Sequence, residues 1–288
     1  MNGELGNYDT FLEPISTLSI KATLNAKKCI ESGFTTIRDL ASCEYIGVSV
    51  RNCINSGLIE GPRIICAGKA LSTTGGHGEF FPPWIDFKGF KGGNYVARVD
   101  GAAEIRKEVR KQIAAGVDLI KVATSSGILE EVTEPGNAEF SDEELKLIVE
   151  EAKRKGKNVA AHANGEGIKS SLKAGIKSIE HGFLLDEEGA KLMKEKGAFL
   201  VPTLKVIDSC LKTNEKFFTK AIARKIRKIK GIPEDSFKKA LKNNIKIAMG
   251  TDAGSPNNFH GDNSVELELM VKNGMSKILT SRIISTCF

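Results

Sequence analysis

One unit recurs along the sequence and limits what the chain can fold into. A helical pattern ends at Gly or Asn, and a short run rich in β-branched residues follows. Glycine at such a position fits the left-handed conformation that closes many helices. Several of the runs are apolar on both faces, as in parallel strands covered by helices on both sides. Seven strands are therefore predicted, at residues 34–40, 63–68, 117–124, 157–163, 176–182, 198–204 and 245–254.

Amphipathic helical patterns lie between these strands. Ile105, Val109 and Ile113 are spaced four apart and line one face of a predicted helix. An S-x-x-E capping box opens a second helix over 142–155, and a third is predicted over 186–196. The alternation predicts an α/β fold with a parallel sheet. A (β/α)8 TIM-type barrel and a doubly wound open sheet both fit, although the Gly-rich phosphate-binding turn typical of the open sheet is absent from the sequence.

Two connections are longer than the few residues usual in this class of fold. Residues 71–101 are rich in Gly and Pro, and residues 205–235 form the second stretch. Each follows the carboxyl end of a strand, which is the side on which barrels carry their active sites. We therefore expect both stretches to be substrate-covering loops.

Composition excludes several classes of protein. With 288 residues, 41% of them hydrophobic and 27% charged, the chain can bury a large core. Its net charge of +6 (42 − 36) comes from dispersed lysines, and the densest stretch, 216–230, is predicted to be a solvated helix face rather than a nucleic-acid surface. No apolar run reaches the ~20 residues of a membrane span, and no secretory signal is expected. Six cysteines without a C-x-x-C pair indicate reduced thiols and a cytoplasmic protein.

Polar side chains stand near the carboxyl ends of several predicted strands. The chain has only four histidines, and His162 and His181 occupy this position on consecutive strands, with Asp252 on a later one. Buried strands rarely carry such residues without a partner. Imidazole and carboxylate are the ligands that zinc and similar ions take, so a divalent metal site is predicted at this end of the sheet.

Lys121 lies in the middle of a predicted strand, between two apolar neighbours. Burial of the ammonium is expected to lower its pKa. Three outcomes are open from the residues alone: a Schiff base with a substrate, an ion pair with a carboxylate, or a carbamate formed with carbon dioxide, which can bridge two metal ions.

These residues stand in motifs that resemble one family, from residue 4 to residue 274. The chain is similar to the amidohydrolase superfamily, in the branch of imidazolonepropionase-related amidohydrolases that includes metal-dependent dipeptidases. The matching segments are GFTTIRDL (33–40), GGHGEF (75–80), AAGVDLIKVATSSG (114–127), the long segment 140–182, VPTL (201–204) and MGTDAGSP (249–256).

The resemblance implies a (β/α)8 barrel that forms one metal-dependent hydrolase domain over residues 1–288. It places Lys121 at the carboxylated bridging position, His162 and His181 as metal ligands on strands five and six, and Asp252 as ligand and general base on strand eight. Zinc is the expected metal.

The resemblance also suggests residues that contact the substrate. Relatives with peptide substrates bind the substrate carboxylate through polar groups on strand-end loops, and His77 and Arg38 are the candidates here. An ion pair with a nearby carboxylate is an equal alternative for Arg38. His260, after the last predicted strand, is a further candidate at the mouth of the barrel. Ile207 stands where many relatives place Tyr, which weakens a simple dipeptidase assignment.

The chain departs from the family pattern at both ends. The family opens its barrel with a strand that ends in H-x-H, and no H-x-H occurs in this sequence. We therefore expect an incomplete barrel that lacks strand 1 and the family's small β-sandwich, with residues 275–288 atypical. At most one tightly held metal per chain follows, and the exposed sheet edges predict a homo-oligomer.

The predicted function is hydrolysis of an amide C–N bond in a small molecule, a dipeptide or an N-acyl amino acid-like substrate, with activity reduced by the missing strand. No nucleic-acid or membrane partner is expected. Two alternatives stay open: a Schiff-base lyase or aldolase that uses Lys121, and a non-catalytic barrel that has kept only the ability to bind a ligand.

Overall fold

Nine parallel strands form the framework of the part of the chain that the structure describes. A computed structural model describes residues 13–78, 95–131 and 133–283. The strands are β1 (Thr36–Asp39), β2 (Arg63–Cys66), β3 (Ala70–Ser72), β4 (Val96–Arg98), β5 (Leu119–Ala123), β6 (Asn158–Ala163), β7 (Ser178–His181), β8 (Phe199–Val201) and β9 (Lys246–Ile247). Seven of them form one sheet in the order β4-β3-β5-β6-β7-β8-β9, and β1 pairs with β2 separately.

Helices connect the strands and cover the sheet. They are α1 (Ile15–Glu31), α2 (Ile46–Asn55), α3 (Gly101–Ala114), α4 (Asp142–Lys153), α5 (Glu166–Ala174), α6 (Glu187–Lys196), α7 (Leu204–Lys212), α8 (Lys220–Ile229), α9 (Ile232–Lys242), α10 (Ser264–Lys272) and α11 (Lys277–Ile283), with short 3-10 turns at Cys43–Tyr45 and Glu215–Phe217. Among the described residues, no helix is both long and apolar enough to span a bilayer.

The two sheets belong to one curved layer. The backbone N–H of Asp118, just before β5, donates to the carbonyl of Cys66 at the end of β2 (2.8 Å). The Asp118 carboxylate accepts the Cys66 N–H in return (2.9 Å). Within the described residues no ladder joins β9 to β1. The predicted α/β fold with a parallel sheet is confirmed, and the sheet is an open barrel.

Local sequence patterns placed most of these elements correctly. Each of the seven predicted strands contains an observed one. At the start of α4, Ser141 Oγ accepts the N–H of Glu144 (3.3 Å) and the Glu144 carboxylate accepts the N–H of Ser141 (3.0 Å), as the capping box predicts. Helix α6 begins after Asp186, whose carboxylate accepts the N–H of Gly189 (2.6 Å), and ends at a left-handed Gly197.

The first long connection is not a simple loop. It contains β3 and β4, which pair through Leu71 and Ala97. Leu71 and Val96 are buried, and this burial explains why two short strands form in a Gly-rich stretch. Residues 79–94, which include the Phe81–Trp84 segment of the predicted substrate-covering loop, lie outside the described residues.

The second predicted loop, residues 205–235, is wrong, because this stretch folds into α7, α8 and the start of α9. Ile222, Ile226 and Ile229 of α8 are buried on one side of the helix. They belong to what we term the second apolar cluster, formed by Ile128, Phe183, Val206, Ile207, Cys210, Ile222, Ile226 and Ile229. The lysines around α8 are exposed as predicted except Lys225, which is buried and donates to the carbonyls of Glu130 and Thr133.

The main core lies between the sheet and its helices. Ile105 and Val109 of α3 pack there with Val122 of β5 and Ile148 of α4, all fully buried. On the concave side of the sheet, Ala67, Leu119 and Ala160 form a separate, smaller cluster. Its two alanines leave room for long polar side chains on this inner side.

Replacing Ser141 with Ala removes the capping bond at the start of α4. We expect the free energy of unfolding to fall by about 1 kcal/mol, because one N–H of the first turn loses its acceptor. Urea denaturation measures the change. Ser56→Ala removes an exposed hydroxyl just beyond the end of α2 and is the control. An equal loss in both variants would contradict the capping role.

Candidate functional site

A cavity of about 440 Å³ opens at the carboxyl ends of the strands. All seven side chains singled out from the sequence line it: Arg38, His77, Lys121, His162, His181, Asp252 and His260. They come from segments up to 222 residues apart (260 − 38). The fold thus gathers the predicted set around one space.

Three imidazole rings lie against one another in the cavity. The rings of His77 and His162 are stacked, with centroids 3.8 Å apart, and His181 meets His162 edge-on at 4.5 Å. His162 stands at the end of β6 and His181 at the end of β7, while His77 follows β3. The backbone N–H of His77 donates to Glu139 (2.7 Å) and fixes the loop that carries the ring.

Each of the two strand-end histidines has one ring nitrogen engaged by a neighbour. Nε2 of His162 lies 3.2 Å from the Asn164 amide, and Nδ1 of His181 lies 2.8 Å from the Thr203 hydroxyl. Burial, followed by the positive charge of nearby groups, lowers both pKa values well below the ordinary range for histidine. Both rings are therefore neutral at pH 7. A backbone hydrogen bond with Ser126 also acts on the His162 ring, whereas His181 keeps Nε2 for a ligand.

His77 has the opposite electrostatic character. Burial by itself would lower its pKa, but the buried carboxylate of Glu130, which forms an ion pair with the ring, outweighs this effect and raises it. The pKa of Glu130 is lowered by the same pair, against the effect of its own burial. The Glu130 carboxylate therefore favours the protonated form of His77 at one wall of the cavity. Glu130 was not recognised from the sequence.

Lys121 projects into the cavity from the middle of β5 and is only 7% exposed. Burial lowers its pKa to about 8, although the carboxylates of Glu180 and Asp252 act in the other direction. Among the described residues, no group forms a hydrogen bond or ion pair with its Nζ. The ion-pair alternative for Lys121 therefore finds no partner in that part of the chain.

Arg38 of β1 forms an ion pair, which was the predicted alternative to a substrate contact. Its guanidinium donates to both oxygens of Glu180 on β7 (2.9 and 3.1 Å) and to Ser178 (3.0 Å). Ser178 also donates to Glu180 (2.6 Å). This network crosses the concave side of the sheet beneath the histidines, and a substrate contact by Arg38 stays a prediction.

Asp252 lies at a sharp turn of the backbone after β9. Its φ of 55° is left-handed, and the amide of Asn258 holds the turn by donating to the carbonyls of Thr251 (2.7 Å) and Asp252 (3.0 Å). The hydroxyl of Ser255 lies 3.3 Å from the carboxylate. Burial raises the pKa of Asp252, while Lys121 and His77 act to lower it. A raised pKa suits a carboxylate that must accept and release a proton.

His260 lies at the edge of the cavity, away from the three clustered rings. Its Nδ1 is 3.9 Å from the thiol of Cys29 on α1. Burial lowers its pKa to about 4. The ring is therefore neutral at pH 7.

The side chains around the cavity fit a divalent metal if Lys121 supplies one of the donors. No three His, Cys, Asp or Glu side chains of the described residues are arranged to hold an ion by themselves. The predicted metal site has the two histidines and takes its third donor from Lys121. Lys121 can be such a donor only when it is not an ammonium, as the neutral amine or as a carbamate.

The histidines, the lysine and the carboxylate meet at the carboxyl ends of the strands of a parallel α/β barrel. TIM-barrel enzymes carry their active sites at this end. The sequence profile of the Amidohydrolase family matches residues 1–284. The chain belongs to the Amidohydrolase family.

Individual relatives agree with this assignment. An ochratoxinase of Aspergillus niger is 38% identical over 259 residues, which cover 86% of this chain and 52% of the relative. The chain thus spans about half the length of the curated relatives it matches. The crystal structure of A. niger ochratoxinase superposes with a TM-score of 0.83 at 33% identity, over 99% of this chain and 68% of that one. A Xaa-Pro dipeptidase with bound methionine in its active site gives a TM-score of 0.81 at 36% identity, over 93% and 66%.

The low pKa of His260 predicts a loss of stability in acid. The ring has a pKa of about 4 in the folded chain and about 6.5 when unfolded. The unfolded state therefore binds its proton first, and stability is lost as pH falls below about 6.5. In His260→Gln the drop in unfolding free energy between pH 7.5 and pH 5 should be about 2 kcal/mol smaller, as read from urea denaturation.

Phe259→Leu, which alters the neighbouring residue without changing any titratable group, is the control. An equal acid-induced loss in His260→Gln and in the unmodified chain would show that His260 is not the group responsible.

Proposed function

We propose that this protein hydrolyses the C–N bond of an amide in a dipeptide or an N-acyl amino acid-like substrate. The reaction would use a divalent metal ion, for which zinc is our first candidate. The observation that carries the proposal is the position of Lys121, His162, His181 and Asp252 around one cavity at the strand ends. Ochratoxinase and Xaa-Pro dipeptidase relatives of this similarity support the reaction class.

The role of Lys121 follows from its environment. With a pKa of about 8, an appreciable fraction of its side chain is neutral amine at pH 7 to 8. The amine nitrogen forms a bond to the carbon of CO₂ and loses one proton to solvent, which leaves an anionic carbamate. The ring of His162 and Nε2 of His181, the His181 nitrogen not engaged by Thr203, would be the other donors.

A bound metal would lower the pKa of water and polarise the scissile carbonyl. Asp252 is the general base: it accepts the proton of the attacking water and passes it to the leaving nitrogen. Its raised pKa and the Ser255 hydroxyl beside it keep that proton within the site.

The walls of the cavity suit a substrate with one apolar and one anionic part. Ile128, Phe183, Val206 and Ile207 of the second apolar cluster line the cavity on one side. The ring of His77, when protonated, offers a partner for a carboxylate in addition to Glu130. An amino acid amide with an apolar substituent matches both features. That copies of the chain associate, and that the protein is cytoplasmic, stay predictions.

A second candidate follows from Lys121. A buried amine with a pKa of about 8 is also what a Schiff-base lyase or aldolase requires. Borohydride would trap such an adduct on Lys121, whereas bound zinc would count against it. Bound metal without turnover of any amide would instead favour the other alternative, a non-catalytic barrel that only binds a ligand.

Purification with bicarbonate and zinc should yield a protein that hydrolyses members of a panel of dipeptides and N-acyl amino acids. Lys121→Met and Asp252→Asn should each lower kcat/KM by about 100-fold or more, because one removes a metal donor and the other the base. Lys177→Met changes an exposed lysine before β7 and should leave the rate unchanged. Elemental analysis should find zinc in the unmodified chain and little in Lys121→Met.

Full hydrolysis by Lys121→Met or Asp252→Asn would exclude this mechanism. Absence of any turnover by the unmodified, zinc-loaded chain would exclude the proposed activity.

A further inference from the structure

A buried carboxylate outside the cavity caps the helix that follows β8. Glu266 of α10 is fully buried, and it does not line the cavity. Its two oxygens accept the backbone N–H groups of Leu204 (2.9 Å) and Lys205 (2.7 Å) at the start of α7. The first N–H groups of a helix have no partner within the helix, so an outside acceptor is required when they are buried. Glu266 provides that acceptor from another helix.

The residue that ordinarily provides such a cap uses its side chain elsewhere. Thr203 occupies the N-cap position of α7, where a threonine hydroxyl commonly accepts an N–H of the first turn. It forms no capping bond here, and its hydroxyl lies 2.8 Å from Nδ1 of His181 instead. Its φ of 47° is left-handed, which for a β-branched residue persists only where the surroundings fix it.

We propose that Glu266 is a positioning residue of the site: by capping α7 it leaves the Thr203 hydroxyl available to hold the ring of His181. The contacts run from Glu266 to the backbone directly after Thr203, and from the Thr203 side chain to His181. Only the consequence for catalysis rests on the proposed hydrolysis, because the contacts themselves do not depend on it.

Loss of the Glu266 cap has a specific consequence. Two buried N–H groups would lack an acceptor, which is costly. The Thr203 hydroxyl is one residue away and is of the type that caps helices. It would turn towards the helix, and Nδ1 of His181 would lose its partner. The ring would then be free to rotate and to exchange the proton between its two nitrogens.

Glu266→Gln is the sharpest probe, since the side-chain shape is kept while one of the two acceptors becomes an N–H₂ group that faces a backbone N–H. Burial raises the pKa of Glu266 to about 8, and the N–H groups of Leu204 and Lys205 together with the Lys205 charge oppose this. The variants are therefore compared at pH 9, where Glu266 is ionised and both of its oxygens are acceptors. Glu268→Gln, an exposed change on the same helix, is the matched control.

The readout is the ¹⁵N resonance of His181 Nδ1 in metal-free protein labelled on histidine. We expect Glu266→Gln to shift it in the same direction as Thr203→Val, and Glu268→Gln to leave it in place. With an active enzyme, Glu266→Gln should lower kcat about tenfold and change KM less than about twofold. The double variant with Thr203→Val should be no slower than Thr203→Val alone.

An unshifted His181 resonance in folded Glu266→Gln would overturn the proposal, as would rate losses that multiply in the double variant. Should Glu266→Gln fail to fold, Glu266→Asp keeps the charge on a side chain one methylene shorter, and the same resonance decides. If the unmodified chain hydrolyses nothing, the proposed function fails while the resonance still tests the role of Glu266.

Discussion

The ion pair between Arg38 and Glu180 sets the charge balance of the whole cavity. It joins β1 to β7 across the concave side of an open sheet, and the Glu180 side chain is 4% exposed. Removing one partner of such a buried pair leaves an uncompensated charge, a cost of several kcal/mol. Arg38 and Ser178 donate to Glu180, and among the described residues no hydrogen bond joins that carboxylate to Lys121. The lysine therefore stays available for reaction.

Backbone strain is concentrated at the same end of the sheet. His181, Thr203 and Asp252 follow three strands that are consecutive along the chain, and all three have left-handed φ values. Such conformations cost about 1–3 kcal/mol each for residues other than glycine and persist where the surroundings fix them. Here the fixing groups are identifiable: the Asn258 amide holds the turn at Asp252, and Glu266 holds the backbone after Thr203. The chain thus turns abruptly where each strand delivers its functional side chain.

The strands and the candidate site were accessible from the sequence because their signals are local. A glycine, a β-branched run and a rare histidine at its end can be recognised within a few residues. The groups that support the site could not be found in this way, since Glu266 acts on residues 61 and 62 positions away and Arg38 on one 142 positions away. The one signal for Glu180 in the sequence was its position, since it is an acidic residue directly before His181 in an otherwise buried strand.

The largest error concerned residues 205–235, which were predicted as a loop, and α8 within this stretch shows how distant packing reaches the site. Its lysines other than Lys225 are solvated as predicted, and three isoleucines on its other side belong to the second apolar cluster. With α8 packed in this way, Lys225 is buried and donates to the carbonyls of Glu130 and Thr133. These bonds fix the segment that places the Glu130 carboxylate against His77. The pKa of His77, at one wall of the cavity, therefore depends on a helix that contributes no side chain to that wall.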